Sequence, residues 1–307
     1  MNKIISNIVF TKNRPLQLEA YLESLYQYFP SNLIQTYIIY KVELFSEEYE
    51  QLFNRFRECV IIRESNFHTD LMQILTQVNT EYILFGIDDV VFFDSVNFEI
   101  IESTFKEQCD NIFGFTLRFS PKSLTNSGDD IEKIAISGES VYRLNWTKGQ
   151  TKHTRYPFEL CCTFYTTDLI RKIIYNSMKS SSISKSLFMP DSFLIKLLDK
   201  LGKKRSTLKH FGYFFSPNTL ESWPCRWCQN NSERLPGYTY FQQICATAIQ
   251  VNMVNTSTNN TCDGTDEHTV EALNEKYKQG YMLDIGYVAE NKPTEPGCGQ
   301  EYFKLIK

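Results

Sequence analysis

Along the first third of the chain the apolar positions switch between two periods. Ile4 to Thr11 is a compact run rich in Ile and Val and predicts a strand. The polar "TKNRP" after it predicts a loop, because Pro15 cannot donate to a ladder and Asn13 favours a turn. Leu16, Leu18, Tyr21, Leu22 and Leu25 then recur at helical spacing, with Pro15 in the first turn, where its missing N–H costs nothing. "TYIIYKV" reads as a strand and "SEEYEQLFNRFRE" as a helix opened by Ser46 with acids in its first turn. "CVIIRE" reads as a strand, "HTDLMQILTQV" as a helix and "EYILFGI" as a strand. This alternation to about residue 95 predicts an α/β fold, a mainly parallel sheet with helices on its faces.

The pattern is less regular beyond. "NIFGFTLRFSP" and "SVYRLNW" predict strands around a polar loop from Ser123 to Asp130. "YPFELCCTFYTT" predicts another strand, followed by the helix "TDLIRKIIYNSM". A Ser-rich break leads into "LFMPDSFLIKLLDKL", an amphipathic helix with Pro190 and Asp191 near its start. "GYFFSPNTLESWP" predicts a loop or short strand, and "YFQQICATAIQVNMVN" stays open between helix and strand, its end alternating like a strand. "NTSTNNTCDGTDEH" is a polar loop and "TVEALNEKYKQGY" a helix closing at Gly280. Neither a repeat nor a linker divides residues 1–307, so one domain is expected.

In sheets of this kind ligands sit beyond the carboxyl ends of strands. Lys12, Arg14, Asp88 and Asp89 all fall at such ends. The two aspartates are adjacent, between the apolar runs "YILFGI" and "VVFF". Like charges repel, and burial raises at least one pKa, so the pair is either an exposed turn or a site for a cation. Lys12 and Arg14, beside a helix N-terminus, suit an anion or are simply solvated.

Charge and composition narrow the classes. The 307 residues carry a net charge of −4, and the densest basic block, Lys203-Lys204-Arg205, reads as a solvated helix end, so no nucleic-acid partner is expected. No run reaches the roughly 18 apolar residues of a membrane span, and the N-terminus lacks a signal-peptide pattern. A cytoplasmic location is the default expectation, with peripheral membrane contact left open. The nine cysteines read as reduced and mostly packed. Cys225 and Cys228 lack a second pair at zinc spacing, though a structural metal there stays open. The chain has no Walker loop, dinucleotide fingerprint or nucleophile elbow.

"IVFTKNRPLQLEAYLESL", "YIIYKV" and "TEYILFGIDDVVFF" together resemble the nucleotide-sugar half of glycosyltransferases with the GT-A fold, and "VNMVN" and "EALNEKYKQGYMLDI" resemble late elements of a bacterial, family 2-like group of them. The resemblance implies a Rossmann-like mixed sheet, residues 1–120 as the nucleotide-sugar half and residues 121–307 as the acceptor half with a helical extension. It implies a nucleoside-diphosphate sugar donor, a glycan or lipid-linked acceptor, and a role in bacterial surface glycan synthesis. Members usually carry an Asp-x-Asp motif that holds Mn²⁺ or Mg²⁺; "IDDV" departs from it. By this likeness Asp89 is the metal ligand, Asp88 faces the ribose or a metal-bound water, Thr11, Lys12 and Arg14 meet the nucleotide, and His268 completes the metal site or is a plain loop residue.

An inverting transferase, mildly preferred here, needs a base within reach of the acceptor hydroxyl. Asp191, then Glu221, then Glu159 are the candidates, against readings as an N-cap, a loop acid and a strand-edge acid. Trp146, Tyr156, Trp223 and Trp227 are candidates for stacking on an acceptor sugar, although most of so many aromatics must be core. His68 reads as a cap or surface residue. A sugar nucleotidyltransferase is the first rival, weakened because "TKNRP" has no glycine; a non-catalytic nucleotide- or glycan-binding protein is the second.

Overall fold

The computed structural model describes residues 3–178, 193–204, 206–207, 213–231, 235–254 and 264–307. The alternating first part is β1 (Ile5–Lys12), α1 (Pro15–Tyr28), β2 (Ile34–Lys41), α2 (Ser46–Arg55), β3 (Val60–Arg63), α3 (Phe67–Gln77) and β4 (Tyr82–Ile87). Next come β5 (Val90–Phe92), α4 (Phe98–Glu107), β6 (Ile112–Thr116), β7 (Ile131–Ile136), β8 (Glu139–Asn145), β9 (Thr163–Thr166) and α5 (Thr167–Ser177). The later elements are α6 (Phe193–Lys200), α7 (Pro217–Asn230), β10 (Gly237–Tyr240), β11 (Ala246–Ile249), α8 (Val270–Lys278), β12 (Met282–Leu283), α9 (Ile285–Asn291), β13 (Gly297–Cys298) and β14 (Leu305–Ile306).

The main sheet runs β3-β2-β1-β4-β9-β6-β10-β8-β7. β3, β2, β1 and β4 are parallel neighbours, β6 and β10 pair parallel, and only β9 and β8 run against the rest. The sheet is therefore mixed and mainly parallel, as the alternation predicts. Both faces are covered, which explains why β1 is buried from Ile5 to Thr11, with Ser6 and Asn7 included. Ile5 and Val9 pack with Leu18, Leu22 and Leu25 of α1, while Ile8 and Phe10 pack with Leu71 and Ile74 of α3. β9 enters antiparallel between β4 and β6, so the segment leading into it lies at the edge where β4 and β6 finish. A smaller sheet, β13-β11-β5, covers the chain just past the two aspartates.

Three sequence expectations change. "GYFFSPNTLESWP" lies largely in α7, not in a loop or strand: Pro217 starts the helix with its φ already set, and Pro224 sits inside it. An interior proline costs about 3 kcal/mol; burial of Leu220, Cys225 and Cys228 offsets it. "YPFELCCTFYTT" is strand only from Thr163, because Cys162 adopts a left-handed φ of 53° and breaks the run. "IQVNMVN" contributes only its first residue, Ile249, to β11.

Gly86 in β4 faces Tyr21 of α1, and a Cβ there would stand 2.1 Å from the tyrosine oxygen and 2.5 Å from its ring. Tyr21 is fully buried and donates to Asn7 at 2.9 Å, so it has no free direction to move. Gly86→Ala is expected to cost about 1–3 kcal/mol, the scale of overpacking, read as a lower urea midpoint with unchanged slope; an unchanged midpoint contradicts the close α1–β4 approach.

Candidate active site

The β1–β4 register places Phe10 beside Ile87, so the residues just beyond each strand meet. The Asp88 N–H donates to the Phe10 carbonyl at 3.2 Å, and the Lys12 N–H donates to Asp88 Oδ2 at 3.3 Å. Arg14, the residue before α1, turns its guanidinium onto the acids. Its Nη1 donates to Asp88 Oδ1 at 2.8 Å and lies 3.5 Å from Asp89 Oδ2; its Nη2 donates to the Asn252 carbonyl. The Arg14 side chain is only 7% exposed. Burial opposes its charge, but Asp88 and then Asp89 raise its pKa above the usual arginine value. The cation that relieves the acid pair in this structure is thus supplied by the chain.

The loop is held from outside the sheet as well. Tyr49 of α2 accepts from the Arg14 N–H at 2.9 Å and shares a 2.7 Å hydrogen bond with Thr11 Oγ1. Asn13 has a φ of 51°, and its Oδ1 accepts from the N–H groups of Glu43 and Leu44, turning the chain into α1. Lys12 Nζ reaches Glu43 at 2.9 Å.

A second charged group stands at the same edge. Arg118, just past β6, pairs with Glu159, just before β9, and donates from Nη1 to the Pro296 carbonyl at 3.2 Å. Glu159 is 5% exposed and accepts further bonds from Thr116, Thr163 and Tyr238. Glu221 of α7 accepts from the Leu160 N–H at 3.2 Å. Burial, and then the Glu159 charge, push the Glu221 carboxyl up to about 7. Burial pushes Asp89 up to about 6, with Arg14 opposing, Asp88 adding and the more distant Arg118 opposing. Asp89 Oδ1, Arg14 Nε and Arg118 Nε are buried without hydrogen-bond partners among the described residues. Three orphaned polar atoms, one acceptor and two donors, leave this edge unsatisfied in a way cores avoid.

No protein-family model matches the chain. Across an alignment 215 positions long that covers 61% of this chain, it is 25% identical to the bifunctional glycosyltransferase pgtA of Dictyostelium discoideum. The chain is related to a glycosyltransferase. The match takes in 27% of that relative, so the chain spans only a minor part of it. Among solved structures, S. aureus TarS 1-349 in complex with UDP overlaps 68% of this chain and 55% of its own, at 14% identity and a TM-score of 0.39. A mannosyltransferase of Pyrobaculum calidifontis, in complex with GDP-Man and Mn²⁺, overlaps 41% and 38%, at 12% identity and a TM-score of 0.30. Scores this low do not bear on what this chain binds.

The structure gathers Thr11, Lys12, Arg14, Asp88 and Asp89 at one strand edge, and brings Glu159 and Glu221 to the same edge through Arg118. Tyr156 lies near Glu221, whose charge, after burial, raises the tyrosine pKa. Trp223 is partly buried against Phe214 and Phe215. Trp146 is not at the edge: it is 3% exposed, stacks edge-on with Phe113 and donates its indole N–H to Leu235. His268 joins the edge only through its backbone, whose carbonyl accepts from Asn252 at 2.7 Å; its Nδ1 accepts from the Thr265 N–H and its ring packs on Phe303. Among the described residues no group of three His, Cys, Asp or Glu side chains is arranged to hold a metal. Asp191 lies outside the described residues. His68 is buried against Tyr213, not at the surface, because α3 turns it under that ring. Cys225 and Cys228 are free, packed thiols. Arg118 had no signal in the sequence: one arginine after a strand means little until β9 brings Glu159 beside it.

Glu221 gives a pH signature. Its carboxyl holds a proton up to about pH 7 when folded and only to about 4.3 when unfolded. The folded chain therefore binds the extra proton in that interval, and this group's contribution to stability falls as pH rises through it and is level above. Glu221→Gln keeps an acceptor for Leu160 and carries no charge. Its stability relative to the parent is expected to grow between pH 4.5 and 7 by about 2 kcal/mol, checked by urea unfolding across pH. A pH-independent difference contradicts the desolvation of the Glu221 carboxyl beside Glu159.

Proposed function

We propose that the chain transfers a sugar from a nucleoside diphosphate to an acceptor hydroxyl at this strand edge. The observation that carries the proposal is the buried Arg14–Asp88–Asp89 cluster with its orphaned atoms, in a chain related to a glycosyltransferase. Lys12 and Arg14 offer charge-assisted bonds to a diphosphate, with Thr11 on the nucleotide side of the loop. Glu221, with its pKa near neutrality and beside Tyr156, is suited to take the acceptor proton, which accords with inversion. Glu159, engaged by four donors, positions Arg118 rather than moving protons. Tyr156 and Trp223 offer faces for an acceptor sugar.

A divalent cation fits this donor set. Mg²⁺ binds through one or two carboxylates plus substrate phosphates and keeps several waters, and Asp89 Oδ1 is a carboxylate oxygen without a hydrogen-bond partner among the described residues. Asp89 and Asp88 would hold Mn²⁺ or Mg²⁺, which when bound offsets charge growing on the leaving diphosphate. Arg14 favours a second reading, in which its guanidinium meets that charge without a metal.

The test is thermal unfolding with a panel of nucleoside diphosphates, each with and without Mn²⁺, alongside transfer assays. One nucleotide is expected to raise the midpoint by a few degrees, as binding to the folded state does by mass action. Asp89→Ala is expected to abolish that shift and lower transfer about a hundredfold or more, while the unliganded protein stays as stable, because Asp89 is buried at a cost. A shift equal with and without Mn²⁺ selects the Arg14 reading; full activity in Asp89→Ala overturns the site.

A further inference from the structure

The helix α6 is apolar on two sides. Ile195 is fully buried and packs with Tyr213, Leu198 and Phe215, which fixes the helix to the body of the protein. On another side Phe193 and Leu197, and Leu201 in the turn just past the helix, follow at four-residue spacing and are 77%, 45% and 62% exposed, with Leu194 beside them at 37%. These four account for much of the large apolar surface exposed among the described residues, and they share one turn-to-turn stripe. Burying such side chains is worth roughly 25 cal/mol per Å², so a contiguous exposed stripe marks a contact surface.

The charges around the stripe identify the contact. At about 100° per residue, Lys196 and Lys200 fall on the flank of the stripe away from Ile195 and Leu198. Lys203 and Lys204 follow the turn at Gly202, whose φ of 66° ends the helix. Asp199 is the one acid within residues 193–204, and it pairs with Lys204 at 3.0 Å. An apolar stripe edged by lysines, on a helix lying along the surface, has the form of an interfacial membrane helix. The lysine stems lie along apolar surface while their ammonium groups stay in water near lipid phosphates. Because Ile195 already holds the helix, binding does not require the segment to fold at the membrane. None of the described helices is long and apolar enough to cross a membrane, so the contact is peripheral.

We propose that the Phe193–Leu194–Leu197 face of α6, continued by Leu201 just past its end and edged by Lys196, Lys200 and Lys203, docks on an anionic lipid surface. The inference rests on exposure and charge alone and holds whichever reaction the strand edge performs. The experiment is co-sedimentation of the full chain with vesicles of phosphatidylcholine alone and of equimolar phosphatidylcholine and phosphatidylglycerol, with sedimentation velocity in parallel. Binding is expected to the anionic vesicles, to weaken with salt, and to fall about fivefold for each of Lys196→Gln and Lys200→Gln. Phe193→Ser/Leu197→Ser is expected to abolish it with the thermal midpoint unchanged, since both side chains are exposed. Absence of binding to anionic vesicles, or equal binding by the serine variant, overturns the proposal. Self-association that the serine variant abolishes, without vesicle binding, overturns it in favour of a protein contact.

Discussion

The strand edge depends on one buried ion cluster. Arg14, Asp88 and Asp89 lie within a largely dry environment, where each charge is costly alone and tolerable together. Removing Arg14 would leave two buried acids uncompensated, a loss that typically costs 3–5 kcal/mol, whereas Arg14 and Asp88 still balance each other without Asp89. The cluster exists only because β1 and β4 are parallel neighbours in a register that ends them together. Local turns then aim the side chains: the left-handed Asn13 turns the loop, and Tyr49 fixes the Arg14 backbone from α2.

The cluster is also where the chain's distant parts are tied. Asn252 accepts from Arg14 and donates to the His268 carbonyl, so the segments before and within the last helical region are anchored on the first loop. Pro296 does the same for Arg118. The edge is thereby roofed by residues from beyond β10, while its floor comes from the ends of β1, β4 and β6. Burial dominates the rise in both Asp89 and Glu221, and Arg118, standing between the two groups of acids, opposes it weakly in each.

Parts of this were legible in the sequence because they depend on local pattern. The run from β1 to β4 shows in the alternation of periods, and the ligand edge shows in where Lys12, Arg14, Asp88 and Asp89 fall along it. Short elements without a strong period, such as β7 and α4, were not legible, since nothing local separates them from loops. α7 is not legible locally, since Pro224 lies inside it as a breaker and only burial of Leu220, Cys225 and Cys228 outweighs that cost. Composition favours core for Trp146 without deciding it, and the contacts with Phe113 and Leu235 are what place it there.

The sequence by itself determined the α/β class, the mainly parallel first half and the acidic strand end, because periodicity and turn chemistry act over a few residues. Tertiary structure alone decided what compensates the acids and which carboxyl titrates near neutrality. Arg14 meets Asp88 across 74 residues, and Glu221 comes to Leu160 across 61. Such pairings follow from strand order and helix docking, and a carboxylate's pKa follows from the burial and charges those pairings create. No spacing along the chain encodes either one.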